Sequence, residues 1–224
     1  MLFLLAALTL AAGHPAFPRA TLPPAAATAE AYIPAGWVLA RENEAQVTVR
    51  GIAFDGRRGA PETTGDLDGD GKADRVLVLE PATAGPGPDD CIACEKPHWP
   101  RAVVVIGAQD AGWRLLGVAD WGDASMEARI DRGRIVVTMG SYGGYSSRAS
   151  ELIYRLEGGR FRLIGREARS SEFCQDCDKG AHVSENWLTR SRTVRRDEAP
   201  GEAEASTFTG ESWLDDGPPP PLDW

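Results

Sequence analysis

Apolar residues recur at every second position through much of the chain, and glycine and aspartate interrupt these runs at short intervals. Leu152, Tyr154 and Leu156, for example, occupy alternate positions. Alternation of this period places one side of a strand in a core, whereas a helix would show a 3.6-residue period. No window between residues 32 and 196 carries a helical stripe longer than three turns. The chain is therefore predicted to be mainly β, an antiparallel meander sheet or small sandwich with few or no long helices.

Short turn sequences separate the predicted strands. A strand is expected at residues 76–79, and tight hairpin turns are expected around residues 107–112, 131–133 and 157–159, because glycine and aspartate accept the backbone angles of such turns. Residues 183–194 are predicted to supply a last strand. The chain has no internal repeat of roughly 20 to 50 residues, which argues against a complete propeller.

The two ends of the chain differ in composition from its middle. Residues 2–12 are apolar but too few to cross a hydrocarbon core of about 30 Å as a helix. Residues 1–16 are therefore predicted to be a signal peptide, and the protein to be periplasmic or secreted. Residues 17–31, rich in Ala, Pro and Thr, are predicted to be a linker, and the acidic, proline-containing residues 197–224 a flexible tail. A single β domain would span residues 32–196.

The net charge limits the classes of partner. The chain carries a formal charge of -9 with a sequence pI near 4.9. Nucleic-acid binding depends on clustered Lys and Arg that release counterions, so a nucleic-acid partner is not expected. No second long apolar segment follows residue 12, so no transmembrane segment is expected in the mature chain.

An acidic segment at residues 66–74, with the sequence DLDGDGKAD, predicts a calcium site. Its carboxylates stand at positions 1, 3, 5 and 9, which are Asp66, Asp68, Asp70 and Asp74. Calcium prefers six to eight oxygen ligands, and Lys72 would add its backbone carbonyl at position 7. Gly71 would allow the sharp turn at position 6. The expected role is structural: the ion would hold the following strand against its neighbour.

Two alternatives remain open for this segment. Asp and Gly are common turn residues, so it could be a solvated turn that binds nothing, although four adjacent carboxylates without a cation would repel one another. Magnesium is less favoured, because it keeps its water shell. An EF-hand is excluded, since Leu77 stands where the bidentate glutamate would be and a strand pattern follows.

The acidic segment resembles the DxDxDGxxD calcium loops of FG-GAP and integrin-type β repeats, in which the loop joins two strands. The wider order of motifs, IPAGW at 33–37, the acidic loop, LIG at 163–165 and NWLT at 186–189, resembles a family of small exported bacterial proteins of unknown function. Two departures are an extra stretch at about residues 43–64 and Arg190, which stands where that family has glycine and would alter one turn.

Four cysteines form two CxxC pairs, Cys91 with Cys94 and Cys174 with Cys177. In an exported protein an even number of cysteines favours two disulfides, and bridges between the pairs would bring both segments together. The alternative is a tetrahedral zinc site with thiolate ligands, in which His98 or His182 could replace a cysteine. Redox catalysis is the third and least favoured interpretation, because redox CxxC pairs open a helix in a βαβ unit and neither pair here does so.

No catalytic constellation can be assembled from sequence motifs. Nucleophile-elbow, P-loop and dinucleotide motifs are missing. The preferred hypothesis is a noncatalytic module that binds a protein or an envelope glycan, and Tyr142 and Tyr145 in a glycine-rich segment are candidate ligand contacts. The alternative hypothesis is an extracellular hydrolase that uses paired carboxylates.

Overall fold

The structure of the protein is a computed structural model. It describes residues 16–40, 62–82, 101–121, 126–143, 146–174, 177–198 and 201–219, with the backbone alone for residues 141–146 and 173–178. The described chain is mainly β, as predicted, and its helical residues form three short 3-10 turns at Arg19–Thr21, Ala29–Tyr32 and Leu214–Asp216. None of the helical segments in this part of the chain has the length and hydrophobicity that a bilayer crossing requires.

Two antiparallel sheets make up the fold. The first contains β1 (Ala25–Ala26), β2 (Trp37–Leu39), β3 (Glu62–Gly65), β4 (Asp74–Pro81), β5 (Ala102–Gln109) and β6 (Gly112–Ala119). Its order is β1-β6-β5-β4-β2, and β3 also pairs with β4. The second contains β7 (Glu127–Asp131), β8 (Arg134–Gly143), β9 (Ser146–Glu157), β10 (Arg160–Cys174), β11 (Cys177–Asn186), β12 (Ser191–Arg196) and β13 (Glu204–Thr207). These seven strands pair strictly in chain order, as in a meander.

The two sheets share one hydrophobic core. Val76 and Val78 of β4 and Val105 of β5 contribute from the first sheet, and Tyr154 and Phe161 contribute from the second. All five are buried. Each sheet therefore buries one apolar face against the other, which is the arrangement of a sandwich.

The first sheet is apolar on its other face as well. Leu77, Leu79, Val104 and Ile106 alternate with the residues of the shared core and belong to a second cluster. A strand buried on both faces carries a continuous apolar run, and the sequence VVVI at 103–106 is such a run. The second face must therefore be buried by another segment of the chain.

Residues 17–31, the expected linker, help to bury that face. Leu22 and Ala29 are buried in the second cluster. The ring of Phe17 packs edge-on against Trp37, with centroids 4.9 Å apart, and β1 pairs with β6. This segment is packed against the sheet, because the apolar outer face of β4 and β5 gives it a surface to bury.

The C-terminal segment, the expected flexible tail, also packs against the domain. β13 pairs with β12, and the ring of Phe208 lies 4.9 Å from that of Trp187. Leu214 is 1% exposed within the shared core. The composition of the segment predicts mobility, but Leu214 belongs to the shared core and Phe208 packs against it.

The predicted last strand over residues 183–194 is in fact two strands, β11 and β12. The carboxamide oxygen of Asn186 accepts hydrogen bonds from the backbone N–H groups of Leu188 and Thr189, both at 3.0 Å. Arg190 completes the turn with φ of 57°, in the left-handed region that favours glycine. The position at which the resembling family has glycine is therefore one where the backbone conformation suits glycine.

The turns predicted at 107–112, 131–133 and 157–159 lie between paired strands. The first is shorter than expected, because β5 extends to Gln109 and β6 begins at Gly112. In the second, Arg132 and Gly133 have φ of 51° and 71°, as a type I′ hairpin turn requires.

We predict that Leu214→Ala lowers the free energy of unfolding by about 2–4 kcal/mol, because it leaves a cavity in the shared core. The matched control is Leu188→Ala, whose side chain is 47% exposed and should change that free energy by less than about 0.5 kcal/mol. Urea denaturation measures both. Equal effects would mean that the C-terminal segment does not pack into the core.

Candidate metal centre

The acidic segment forms the connection between β3 and β4. Gly65 pairs with Asp74 at the base of this connection. Gly69 and Gly71 have φ of 80° and 82°, a conformation that glycine adopts without steric cost. The two glycines allow the eight residues 66–73 to turn within a short space.

Three carboxylates converge in this loop. Asp66, Asp68 and Asp74 each present an oxygen atom, and the three oxygens lie within 4.8 Å of one another. Calcium–oxygen distances are about 2.3–2.6 Å, so oxygens on opposite sides of one ion are up to about 5 Å apart. The group could therefore hold a metal ion with oxygen ligands.

Asp74 attaches the loop to the neighbouring strand β5. Its side chain has no exposed surface, and its two carboxylate oxygens accept hydrogen bonds from Leu67 N at 2.8 Å and Ala108 N at 2.9 Å. Burial raises the pKa of this carboxyl, the two hydrogen bonds oppose the rise, and the negative charges of Asp68 and Asp70 add to it. A cation at the group would favour the charged form and lower that pKa.

Asp66 organises the loop itself. Its oxygens accept hydrogen bonds from Gly69 N at 2.7 Å and Gly71 N at 3.0 Å. Each carboxylate oxygen has two lone pairs, so these bonds leave acceptor capacity for a cation. The loop is thus shaped by hydrogen bonds from its own backbone to Asp66.

Asp68 has a cationic partner from another strand. Its Oδ1 accepts a hydrogen bond from Asp70 N at 3.1 Å, and its Oδ2 lies 2.7 Å from Nη2 of Arg114 in β6. The guanidinium compensates part of the negative charge of the group. A metal ion at the three carboxylates would share Asp68 with Arg114 or displace it.

The fourth predicted aspartate lies outside the three-carboxylate group. Asp70 Oδ1 accepts a hydrogen bond from Lys72 N at 2.8 Å, and Asp70 Oδ2 lies 3.6 Å from Lys72 Nζ. The same ammonium group lies 2.8 Å from the carboxylate of Asp110, and this hydrogen bond raises the pKa of Lys72. The structure therefore brings together three of the four aspartates, and the carbonyl of Lys72 as a ligand stays a prediction.

The loop lies where the two sheets meet. The backbone N–H of Ile130 in β7 donates to Thr63 Oγ1 in β3 at 3.1 Å. A Cβ at Gly133, in the β7–β8 turn, would lie 3.2 Å from the carbonyl oxygen of Asp66. The absence of a side chain at Gly133 lets this turn of the second sheet approach the loop of the first.

The remaining predicted site residues are separate from this group. Cys174 and Cys177 are backbone partners at the end of the β10–β11 hairpin, and Tyr142 lies in β8 opposite Ser147. The glycine-rich segment at 140–143 is thus a continuation of a strand. The other predicted residues, Cys91, Cys94, His98 and Tyr145, lie outside the described part of the chain.

A pair of carboxylates stands on the second sheet. Glu151 and Glu167 are opposite each other in β9 and β10, and their side chains are 46% and 43% exposed. Glu151 binds Arg129 at 3.0 Å. Glu167 binds His182 at 2.9 Å and Ser184 at 2.6 Å. His182, an alternative zinc ligand in the sequence analysis, is therefore engaged with a glutamate.

Sequence reasoning missed the contacts that other strands supply to the metal centre. Arg114 and Ala108 follow Asp68 and Asp74 by 46 and 34 residues. Only the pairing of β4, β5 and β6 brings them to the loop. An apolar strand with an arginine is too common a pattern to have revealed this contact.

Comparison of the chain with protein-family models, with curated proteins and with solved structures gives no match. The resemblance to small exported bacterial proteins, and to FG-GAP loops, stays a prediction.

We predict that Asp74→Ala lowers the free energy of unfolding by about 2–4 kcal/mol in the presence of a chelator, because two inward-facing backbone N–H groups lose their acceptor. Asp70→Ala removes a more exposed carboxylate of the same loop and should cost less than about 1 kcal/mol. Urea denaturation with chelator separates this effect from ion binding. Indistinguishable losses would show that Asp74 does not anchor the loop.

Proposed function

We propose that the chain is an exported, noncatalytic β module, stabilised by one calcium ion, that binds a protein or an envelope glycan. The observation that supports the calcium ion is the convergence of Asp66, Asp68 and Asp74 within 4.8 Å. Three carboxylates favour a hard cation, and calcium tolerates irregular oxygen geometry better than magnesium does. Export rests on the predicted signal peptide at residues 1–16.

The position of the group explains what the ion would do. The three carboxylates connect the β3–β4 loop to β5 through Asp74 and to β6 through Asp68. An ion bound there would reduce repulsion among the aspartates and stiffen the attachment of the loop to β5 and β6. In this proposal calcium has no catalytic step and acts on stability.

The alternative function is an extracellular hydrolase that uses paired carboxylates. Glu151 and Glu167 are its best candidates in the described part of the chain, because they face each other across two strands. We prefer the noncatalytic function, since both side chains are nearly half exposed and each has a hydrogen-bonded partner. A general acid works best in a site that excludes water.

For calcium, we expect the melting midpoint to rise when calcium replaces chelator. A ligand that binds only the folded state adds about 2.7 kcal/mol at a free concentration about 100-fold above its Kd. Asp68→Ala should abolish the rise. Asp110→Ala is the matched control, because Asp110 is 96% exposed and outside the group, and it should keep the rise.

Calorimetry and scanning fluorimetry would measure calcium affinity and the midpoint on the same samples. A midpoint that is unchanged by calcium in the wild type and in Asp68→Ala would contradict the proposed ion. Magnesium at the same concentration serves as a comparison, and an equal effect of both ions would contradict the assignment to calcium.

The cysteine pairs complete the proposal as two disulfides, with zinc as the alternative. Protein purified under non-reducing conditions should contain no bound zinc. The same protein should show no free thiol after denaturation. Thiol titration together with elemental analysis measures both quantities. One zinc per chain with reactive thiols would favour the metal site, and four free thiols without metal would contradict both arrangements.

A further inference from the structure

Three aspartate–glycine bonds lie in the described part of the chain, at residues 68–69, 70–71 and 216–217. An aspartate before glycine can cyclise, because glycine has no Cβ to shield its backbone nitrogen. The nitrogen bonds to Cγ of the aspartate, and the amide proton leaves with a carboxyl hydroxyl as water. Water then opens the five-membered ring. Cleavage between the nitrogen and Cγ restores aspartate, whereas cleavage between the nitrogen and the former backbone carbonyl carbon gives isoaspartate.

Both glycines of the acidic loop have an occupied backbone N–H. Gly69 N donates to Asp66 Oδ1 at 2.7 Å, and Gly71 N donates to Asp66 Oδ2 at 3.0 Å. Cyclisation must break this hydrogen bond, because the nitrogen has to lose its proton and turn toward Cγ of the preceding aspartate. A hydrogen bond to an ionised acceptor is stronger than one to a neutral acceptor. The single carboxylate of Asp66 therefore opposes the reaction at two sites.

The third aspartate–glycine bond lacks this restraint. Asp216 ends the 3-10 turn Leu214–Asp216, and Gly217 follows it with φ of 114°. The residues that follow the other two 3-10 turns, Leu22 and Ile33, donate their N–H groups back into those turns. The N–H of Gly217 donates to no atom within the ranges that the structure describes. The side chain of Asp216 is 57% exposed, so water has access to this bond.

Neither space nor charge separates the three sites. A Cβ at any of the three glycines would meet no atom beyond its chain neighbours within 4 Å. Each aspartate also has a basic partner, namely Arg114 for Asp68 at 2.7 Å, Lys72 for Asp70 at 3.6 Å and Arg160 for Asp216 at 2.6 Å. The hydrogen bond of the glycine N–H is thus the feature that distinguishes the two loop sites from the third.

We propose that Asp216 is a site of spontaneous isoaspartate formation, and that Asp66 prevents the same reaction at Asp68 and Asp70. Asp66 thereby has a role that does not depend on a metal ion, because it preserves two carboxylates of the acidic loop. Isoaspartate has one more carbon atom in its main chain, and its carboxylate is attached directly to Cα. Modification of Asp216 therefore alters the position of the carboxylate that Arg160 binds at 2.6 Å.

Ageing of the full-length chain tests this proposal. The folded protein is incubated at neutral pH with a chelator, so that no bound ion protects the loop, and isoaspartate is mapped in its peptides by mass spectrometry. We expect isoaspartate at residue 216 to exceed that at residue 68 or 70 at least about tenfold, the factor that corresponds to a hydrogen bond of about 1.4 kcal/mol. In the chain denatured with guanidinium chloride, where Asp66 protects neither glycine, the three sites should react at similar rates.

Three variants separate the contributions. Asp66→Ala should raise isoaspartate at residues 68 and 70 about tenfold and leave residue 216 unchanged. Asp74→Ala loosens the loop but keeps Asp66, so it should raise modification at residues 68 and 70 less than Asp66→Ala does. Asp216→Glu keeps a carboxylate, but its longer side chain would have to close a six-membered ring. Modification at residue 216 should therefore disappear in this variant, with no change in the loop.

Equal amounts of isoaspartate at the three sites of the folded chain would overturn the proposal. An unmodified residue 216 in the folded chain, once the denatured chain is half converted, would do the same. An equal rise in Asp74→Ala and Asp66→Ala would mean that the order of the loop protects it, and not the carboxylate of Asp66. A slower reaction in Asp66→Ala would show that Asp66 accepts the amide proton and promotes cyclisation, which is the opposite of the proposed role.

Discussion

The buried carboxylate of Asp74 joins the acidic loop to two strands of the first sheet, β4 and β5. It stands at the first residue of β4, accepts one hydrogen bond from the acidic loop and accepts another from β5. A charge without solvent is unfavourable unless donors surround it. The chain meets this requirement with two backbone N–H groups, and in doing so it fixes the position of the loop. Asp66 and Asp68 are then held by hydrogen bonds of their own, Asp66 within the loop and Asp68 to the loop and to β6.

Much of the fold could be predicted from the sequence because its strands have clear local signals. The alternation around Leu152 and Tyr154 marks β9, and the turn at Arg132 and Gly133 marks the hairpin before it. The two ends could not be predicted in the same way. Residues 17–31 have the composition of a linker, and their packing depends on the apolar outer face of a sheet that begins far along the chain.

The candidate site shows the same division. Nine residues with glycine at two turns are enough to predict that aspartates converge, because the loop geometry is local. Asp74 belongs to the three-carboxylate group and accepts a hydrogen bond from β5, whereas Asp70 lies outside the group and faces Lys72. These two positions depend on tertiary contacts. Arg114 is a contribution of tertiary structure alone. A spacing pattern specifies which residues can meet, and strand pairing decides which do.

The order of the strands has a consequence for how the chain can fold. The second sheet is built from neighbours in sequence, so its hairpins need only short loops to close, whereas β1 must find β6 across 87 residues or more, as the pairing of Ala26 with Trp113 shows. Leu214 joins the shared core more than 130 residues after Val76, another member of that core. A polypeptide synthesised from its N-terminus cannot complete that core until Leu214 is available. Before that moment, the apolar surface beside Phe161 that Leu214 covers in the folded chain is exposed, and exposed apolar surface of this kind makes folding intermediates prone to aggregate.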